Sequence, residues 1–151
     1  MDVGDLVEDF ELPDEHGVAR RLSTLLQDGP VVLFFYPAAF TPGCTAEACH
    51  FRDMAREFAA AGASPVGISG DDVERQAAFA ERHSLGYPLL ADPEGAVRTR
   101  FGVKRRLGIS PTRRATFVID TDRRVLEVIR SEIRMNVHAD RALEALRRRA
   151  A

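Results

Sequence analysis

Residues 31–53 read VVLFFYPAAFTPGCTAEACHFRD. The first six are β-branched, aliphatic or aromatic, with no polar residue on either alternating face. That is the pattern of a central strand buried on both sides. Helical chemistry begins at Thr41, a good N-cap, and Pro42, whose missing N–H would have gone unpaired at a first helical position. The helix is expected to run from about residue 42 to 61 and close at Gly62. A buried strand feeding a helix is the repeating step of an α/β sheet, and the carboxyl end of such a strand is where open sheets keep their sites.

Both cysteines of the 151-residue chain, Cys44 and Cys49, lie at that helix start. Cys44 takes the third helical position, within the turn whose free N–H groups and positive dipole end favour an anion. The thiolate is the nucleophilic form of cysteine, and a helix N-terminus is a setting that lowers a thiol pKa. At 100° per residue, Cys44, Ala48, Phe51, Ala55 and Phe58 share the arc expected to pack on the sheet, with Met54 and Ala59 flanking it. Cys49 falls about 140° away, among Arg52, Asp53 and Arg56. Residues five apart in an intact helix have Cα atoms ~8.6 Å apart, whereas a disulfide needs less than about 7 Å. If the two thiols bond at all, the first turns must unwind. On the residues alone, Cys49 is either a small side chain on a partly covered face or a second redox thiol.

Competing chemistries fare worse. Cys-x4-Cys followed by His50 is splayed by the helix and short of the four ligands of tetrahedral zinc. The remaining histidines, His16, His83 and His138, stand in no ligand spacing, so neither metal nor cofactor is expected. A Cys–His hydrolase dyad lacks its base, because His50 faces away from Cys44.

The rest of the chain supplies the layers. FELPDEHGVARRL reads as two short strands around a turn at residues 14–17, after which Ser23 is expected to cap a brief helix. SPVGIS is a strand, and Asp71 or Asp72 starts a helix reaching about His83. YPLLAD gives a short strand and PEGAVRTRFG a short helix. RATFVID and RVLEVIRS pair as a hairpin, and a last amphipathic helix spans about residues 139–149 with Ala142, Leu143 and Leu146 inward. The sum is a three-layer α/β arrangement with a mixed central sheet, expected as one domain over residues 1–151.

A hydrophobic fraction of 45% and a net charge of −2 are ordinary for a globular chain. They give no reason to expect nucleic acid or an anionic membrane as partner. The clusters at residues 104–106, 113–114 and 147–149 are short and read as solvated surface. The acidic N-terminus lacks the basic and apolar regions of a signal peptide, and residues 31–36 are far too few to cross a bilayer. A cytoplasmic location is therefore expected. In a reducing cytosol, two cysteines point to catalysis, sensing or metal binding rather than to a structural staple.

The segment YPAAFTPGCTAEACHFRD resembles the active-site segment of peroxiredoxins. A second cysteine five residues on resembles the peroxiredoxin Q subgroup, also called bacterioferritin comigratory protein. Pro37, Thr41 and Cys44 match the motif P-x-x-x-T-x-x-C one for one, and VGDLVEDFELPDEHG, VGISGDD, YPLLADPEGAV, FGV and RRATFVID follow in the family's order.

The resemblance implies a thioredoxin-like fold with an added N-terminal β-hairpin. It also implies a thiol peroxidase for hydrogen peroxide and organic hydroperoxides, serving antioxidant defence. Cys44 would be the peroxidatic residue and Cys49 the resolving one, joined in an intramolecular disulfide that thioredoxin or a similar dithiol reduces. Pro37 would shield the thiolate and Thr41 would hydrogen-bond the peroxide. Arg114, with Arg113 as fallback, would stabilise both the thiolate and the leaving oxygen. Glu47 would partner the arginine, and Arg52 is a candidate for the same network. The subgroup leans monomeric. A peroxide-responsive sensor using the same disulfide switch is the alternative. Residues 38–40 are apolar where many members of the subgroup carry charge, and residues 103–112 match no pattern of the family.

Overall fold

The computed structural model describes residues 1–105 and 112–150. Most of the 103–112 segment, residues 106–111, lies outside these described residues. Strands β1 (Glu11–Pro13) and β2 (Ala19–Arg21) form the antiparallel N-terminal pair. Helix α1 (Leu22–Leu25) follows, and Ser23 does not cap it. Arg21 holds the cap position and offers no acceptor, so the Asp9 carboxylate accepts the Ser23 N–H at 2.9 Å and the Ser23 hydroxyl at 2.7 Å.

The main sheet has five strands in the order β5-β4-β3-β6-β7. Its centre is β3 (Val31–Phe35), parallel to β4 (Ser64–Ser69), which is in turn parallel to β5 (Leu89–Ala91). On the other side β3 runs antiparallel to β6 (Ala115–Ile119), which pairs with β7 (Val125–Arg130) as the expected hairpin. Alternation along residues 31–36 divides the core. Val32, Phe34 and Tyr36 face the helices α2 (Pro42–Asp53), α3 (Ala55–Ala60), α4 (Val73–His83) and α6 (Asn136–Ala150). Val31, Leu33 and Phe35 face the N-terminal segment, α1 and α5 (Ala96–Arg100). Every residue from 31 to 36 is at most 1% exposed, as expected of a strand covered on both faces. The three layers and the added hairpin are present.

The helix after β3 departs from expectation in one respect. It breaks at Met54, which leaves helical geometry at φ −96° and ψ 15° and divides its N–H between the carbonyls of His50 and Phe51. Phe51 and Phe58 stay buried across the break, and Phe51 stacks on Phe34 with ring centroids 4.2 Å apart. Ala55, placed on the inward arc by an unbroken helix, is exposed. The last helix starts earlier than expected, at Asn136, which brings His138 into its buried face.

Candidate active site

Cys44 is the third residue of α2 and is fully buried. Thr41 takes the extended N-cap conformation, φ −77° and ψ 150°, but makes no capping bond with its side chain. Its hydroxyl donates instead to the Ala38 carbonyl at 2.8 Å. The oxygen's lone pairs are thus left for a donor arriving from outside. Pro37 is half-buried just ahead of it.

Arg114 stands immediately before β6, and the sheet pairing of β6 with β3 carries it to the start of α2. Its Nη2 lies 3.3 Å from Cys44 Sγ, while Nη1 donates to Glu47 Oε1 at 2.7 Å. Its own N–H is held by the Glu132 carboxylate at 2.9 Å. Gly43 makes the approach possible, since a Cβ there would stand 3.3 Å from Arg114 Nη2 and 3.4 Å from Met135 Sδ. Of the two candidate arginines, Arg114 is the one beside the thiol. Arg113 is exposed, with its N–H bonded to the Val103 carbonyl.

Glu47 is wholly buried, and burial pushes its carboxyl up to about 7 against the pull of Arg114. Its Oε2 and Arg114 Nε have no hydrogen-bond partner among the described residues. His138 Nε2 lies 3.7 Å from Oε2. That nitrogen donates to the Ser131 carbonyl at 2.9 Å, and Nδ1 accepts from the Thr116 hydroxyl at 2.8 Å, a set that fits the neutral Nε2–H form. Burial, aided by the Arg114 charge, pushes His138 down from its ordinary value. The sequence did carry a sign of this residue. His138 precedes Ala142 by four and Leu146 by eight, the spacing of one helix face.

Other expected members are placed elsewhere. Arg52 donates to the His83 carbonyl at 2.7 Å and to Asp53 at 3.0 Å, so it does not join Arg114 and Glu47. Cys49 lies on α2 with Cys44, and both are free thiols. It is not on an open charged face: it is half-buried and packs against the same core cluster. His50 pairs with Asp140 at 2.8 Å. No cluster of potential metal ligands occurs among the described residues.

The 37–40 loop is held from β4 and α4. Asp71 accepts the Ala39 N–H at 2.8 Å and the Ser69 hydroxyl at 2.7 Å, and Gln76 joins Ser69 at 3.0 Å to the Tyr36 hydroxyl. Phe40 then adopts φ 68°, a left-handed conformation that costs an L-residue about 1–2 kcal/mol. Its ring meets Phe79 and lies under the Arg75 guanidinium.

The arrangement is a buried thiol at a helix start with a cationic fork against it. The chain matches the AhpC/TSA family over residues 3–128. It belongs to that family. It is similar to the crystal structure of peroxidoxin BcpB from Mycobacterium tuberculosis, at 63% identity and a TM-score of 0.95, covering 98% of this chain and 97% of that one. A chloroplastic peroxiredoxin Q of Sedum lineare is 41% identical over 137 residues, 91% of this chain and 73% of that protein. A peroxiredoxin Q structure from Xanthomonas campestris is 28% identical with a TM-score of 0.89, covering 99% of both chains. The fold is therefore thioredoxin-like, and this AhpC/TSA member stands with the peroxiredoxins of the Q or bacterioferritin comigratory type, a family of thiol peroxidases. No helix among the described residues is long and apolar enough to cross a membrane.

Proposed function

We propose that Cys44 reduces hydrogen peroxide and organic hydroperoxides and that Cys49 resolves the product. The observation that carries this reading is the 3.3 Å approach of Arg114 Nη2 to Cys44 Sγ at the first turn of α2. The thiolate sulfur attacks one peroxide oxygen; the S–O bond forms as the O–O bond breaks. The leaving hydroxide or alkoxide is protonated from water, and Cys44 is left as sulfenic acid. Charge moves from sulfur to the leaving oxygen, and the free N–H groups of the first turn together with the Arg114 fork face both ends of that path. The Thr41 hydroxyl accepts the peroxide proton, and Pro37 keeps bulk water off the sulfur. Glu47 holds the guanidinium in its plane.

The Cys49 thiol then attacks the Cys44 sulfur; the S–S bond forms as the S–O bond breaks, and the hydroxide leaves as water with the proton of the Cys49 thiol, closing an intramolecular disulfide. Both thiols ride on α2, so its first turns unwind for this step. Thioredoxin or a similar dithiol returns both to thiols. The reading takes residues 1–151 as one cytoplasmic, monomeric domain needing no cofactor.

The resolving step has its own test. Cys49→Ser, given one equivalent of peroxide, should consume it once and hold a sulfenate that dimedone traps. Steady cycling of that variant with thioredoxin at the wild-type rate would remove Cys49 from the cycle. Slow turnover of the intact protein with every dithiol offered, alongside a partner bound only by the oxidised form, would instead favour a peroxide sensor.

A further inference from the structure

Residues 69–72 read SGDD, at the end of β4 and the entry to α4. Asp72 caps the helix, accepting the Arg75 N–H at 2.8 Å. Asp71 is spared that task and turns toward the 37–40 loop. Its Oδ2 accepts from the Ala39 N–H at 2.8 Å, and Oδ1 faces Arg75 Nε at 3.2 Å. Arg75 in turn donates to the Ala39 carbonyl at 3.3 Å and spreads over the Phe40 ring at 5.2 Å. Both backbone polar groups of Ala39 are therefore gripped by one aspartate–arginine pair. The next residue, Phe40, sits at φ 68°, which a bulky side chain keeps only where its surroundings over-determine it. Thr41 follows, the N-cap of α2. Behind the grip, Gln76 links Ser69 to Tyr36 at the end of β3, so the loop is tied to two strands of the sheet.

We propose that Asp71 and Arg75 are positioning residues that latch the 37–40 loop against the start of α2. The latched loop presents Pro37 and Thr41 to the peroxide and braces the first helical turn. Release of the latch frees a strained residue next to the turn that must unwind. The pair therefore favours sulfenate formation and opposes disulfide closure, two effects of opposite sign on one cycle. This inference rests on the reading of Cys44 and Cys49 given above.

Rapid-quench alkylation with mass spectrometry resolves the two steps in full-length reduced protein mixed with hydrogen peroxide. In Asp71→Ala, sulfenate formation should slow by roughly tenfold, the scale of one lost charge-assisted hydrogen bond. Disulfide closure should quicken in the same variant. Arg75→Leu should move both rates in the same directions by about threefold. Arg75 is 53% exposed, so this variant serves even where Asp71→Ala fails to fold. Asp71→Asn keeps an acceptor for the Ala39 N–H and should recover most of the first rate. Unchanged rates in an active protein, or a fall of both rates by one common factor, would overturn the latch. A wild-type protein that consumes no peroxide would instead overturn the peroxidase reading beneath it.

Discussion

Arg114 holds the site together at the scale of single residues, with one nitrogen on the Cys44 sulfur and another on the Glu47 carboxylate. Removing donors aimed at developing charge costs catalysts about 10²–10³ in rate. Arg114→Leu should lower the second-order rate with peroxide by that order, measured by competition with a reporter peroxidase. Arg114→Lys should recover little, because an ammonium cannot bridge both partners with a planar fork. Glu47 makes a separate prediction through pH. Burial raises its carboxyl from an ordinary 4.5 to about 7. Between those values the folded chain holds a proton that the unfolded chain has lost, so this residue's contribution to stability declines as pH rises through that window. Glu47→Gln removes the ionisation. The stability of Glu47→Gln relative to wild type should improve from pH 5 to pH 8 in urea denaturation, whereas parallel curves would refute the assignment. The meeting of Cys44, Glu47 and Arg114 was legible because the motif is local and Arg114 aligns to the start of β6. The contacts of His138 and Asp71 were not, because they depend on neighbours that only the folded chain supplies: Thr116 and Ser131 for one, Ala39 for the other.

At the scale of elements, α2 is a packed helix and, in the proposed cycle, also the segment that must open. Phe51 anchors it by stacking between Phe34 and Phe58. Phe51→Ala should destabilise the reduced protein by about 3–5 kcal/mol, the usual loss for a buried ring, read from the same denaturation curves. The break at Met54 divides the helix below Cys49, so unwinding of the first turns can stop there while Phe58 keeps α3 on the sheet. Hydrogen exchange should show it. Amides within residues 44–53 should lose protection on oxidation, and those of α3 should keep theirs; equal protection of α2 in both redox forms would contradict the unwinding. The sequence suggested one helix through residue 61 because the apolar spacing continues past Met54, and periodicity alone does not register a one-residue break.

Over the whole molecule, the sheet puts the Cys44 thiol where two chain segments distant in sequence converge. Strand β3 delivers α2, and its antiparallel neighbour β6 delivers Arg114 from 70 residues away. This much was readable: an unbroken apolar run in β3, alternating helices and strands, and a terminal hairpin specify a three-layer α/β fold by composition and period. The tie between the 37–40 loop and α4 was not, since SGDD reads equally well as a plain helix start. The central claim, that Cys44 is the peroxide-reducing thiol, is tested most directly by mixing reduced protein with hydrogen peroxide and following peroxide and thiol together. The wild type should consume one peroxide per chain and lose both thiols, with a Cys44–Cys49 disulfide recovered by mass spectrometry, and Cys44→Ser should consume none. Undiminished peroxide loss in Cys44→Ser would contradict the account.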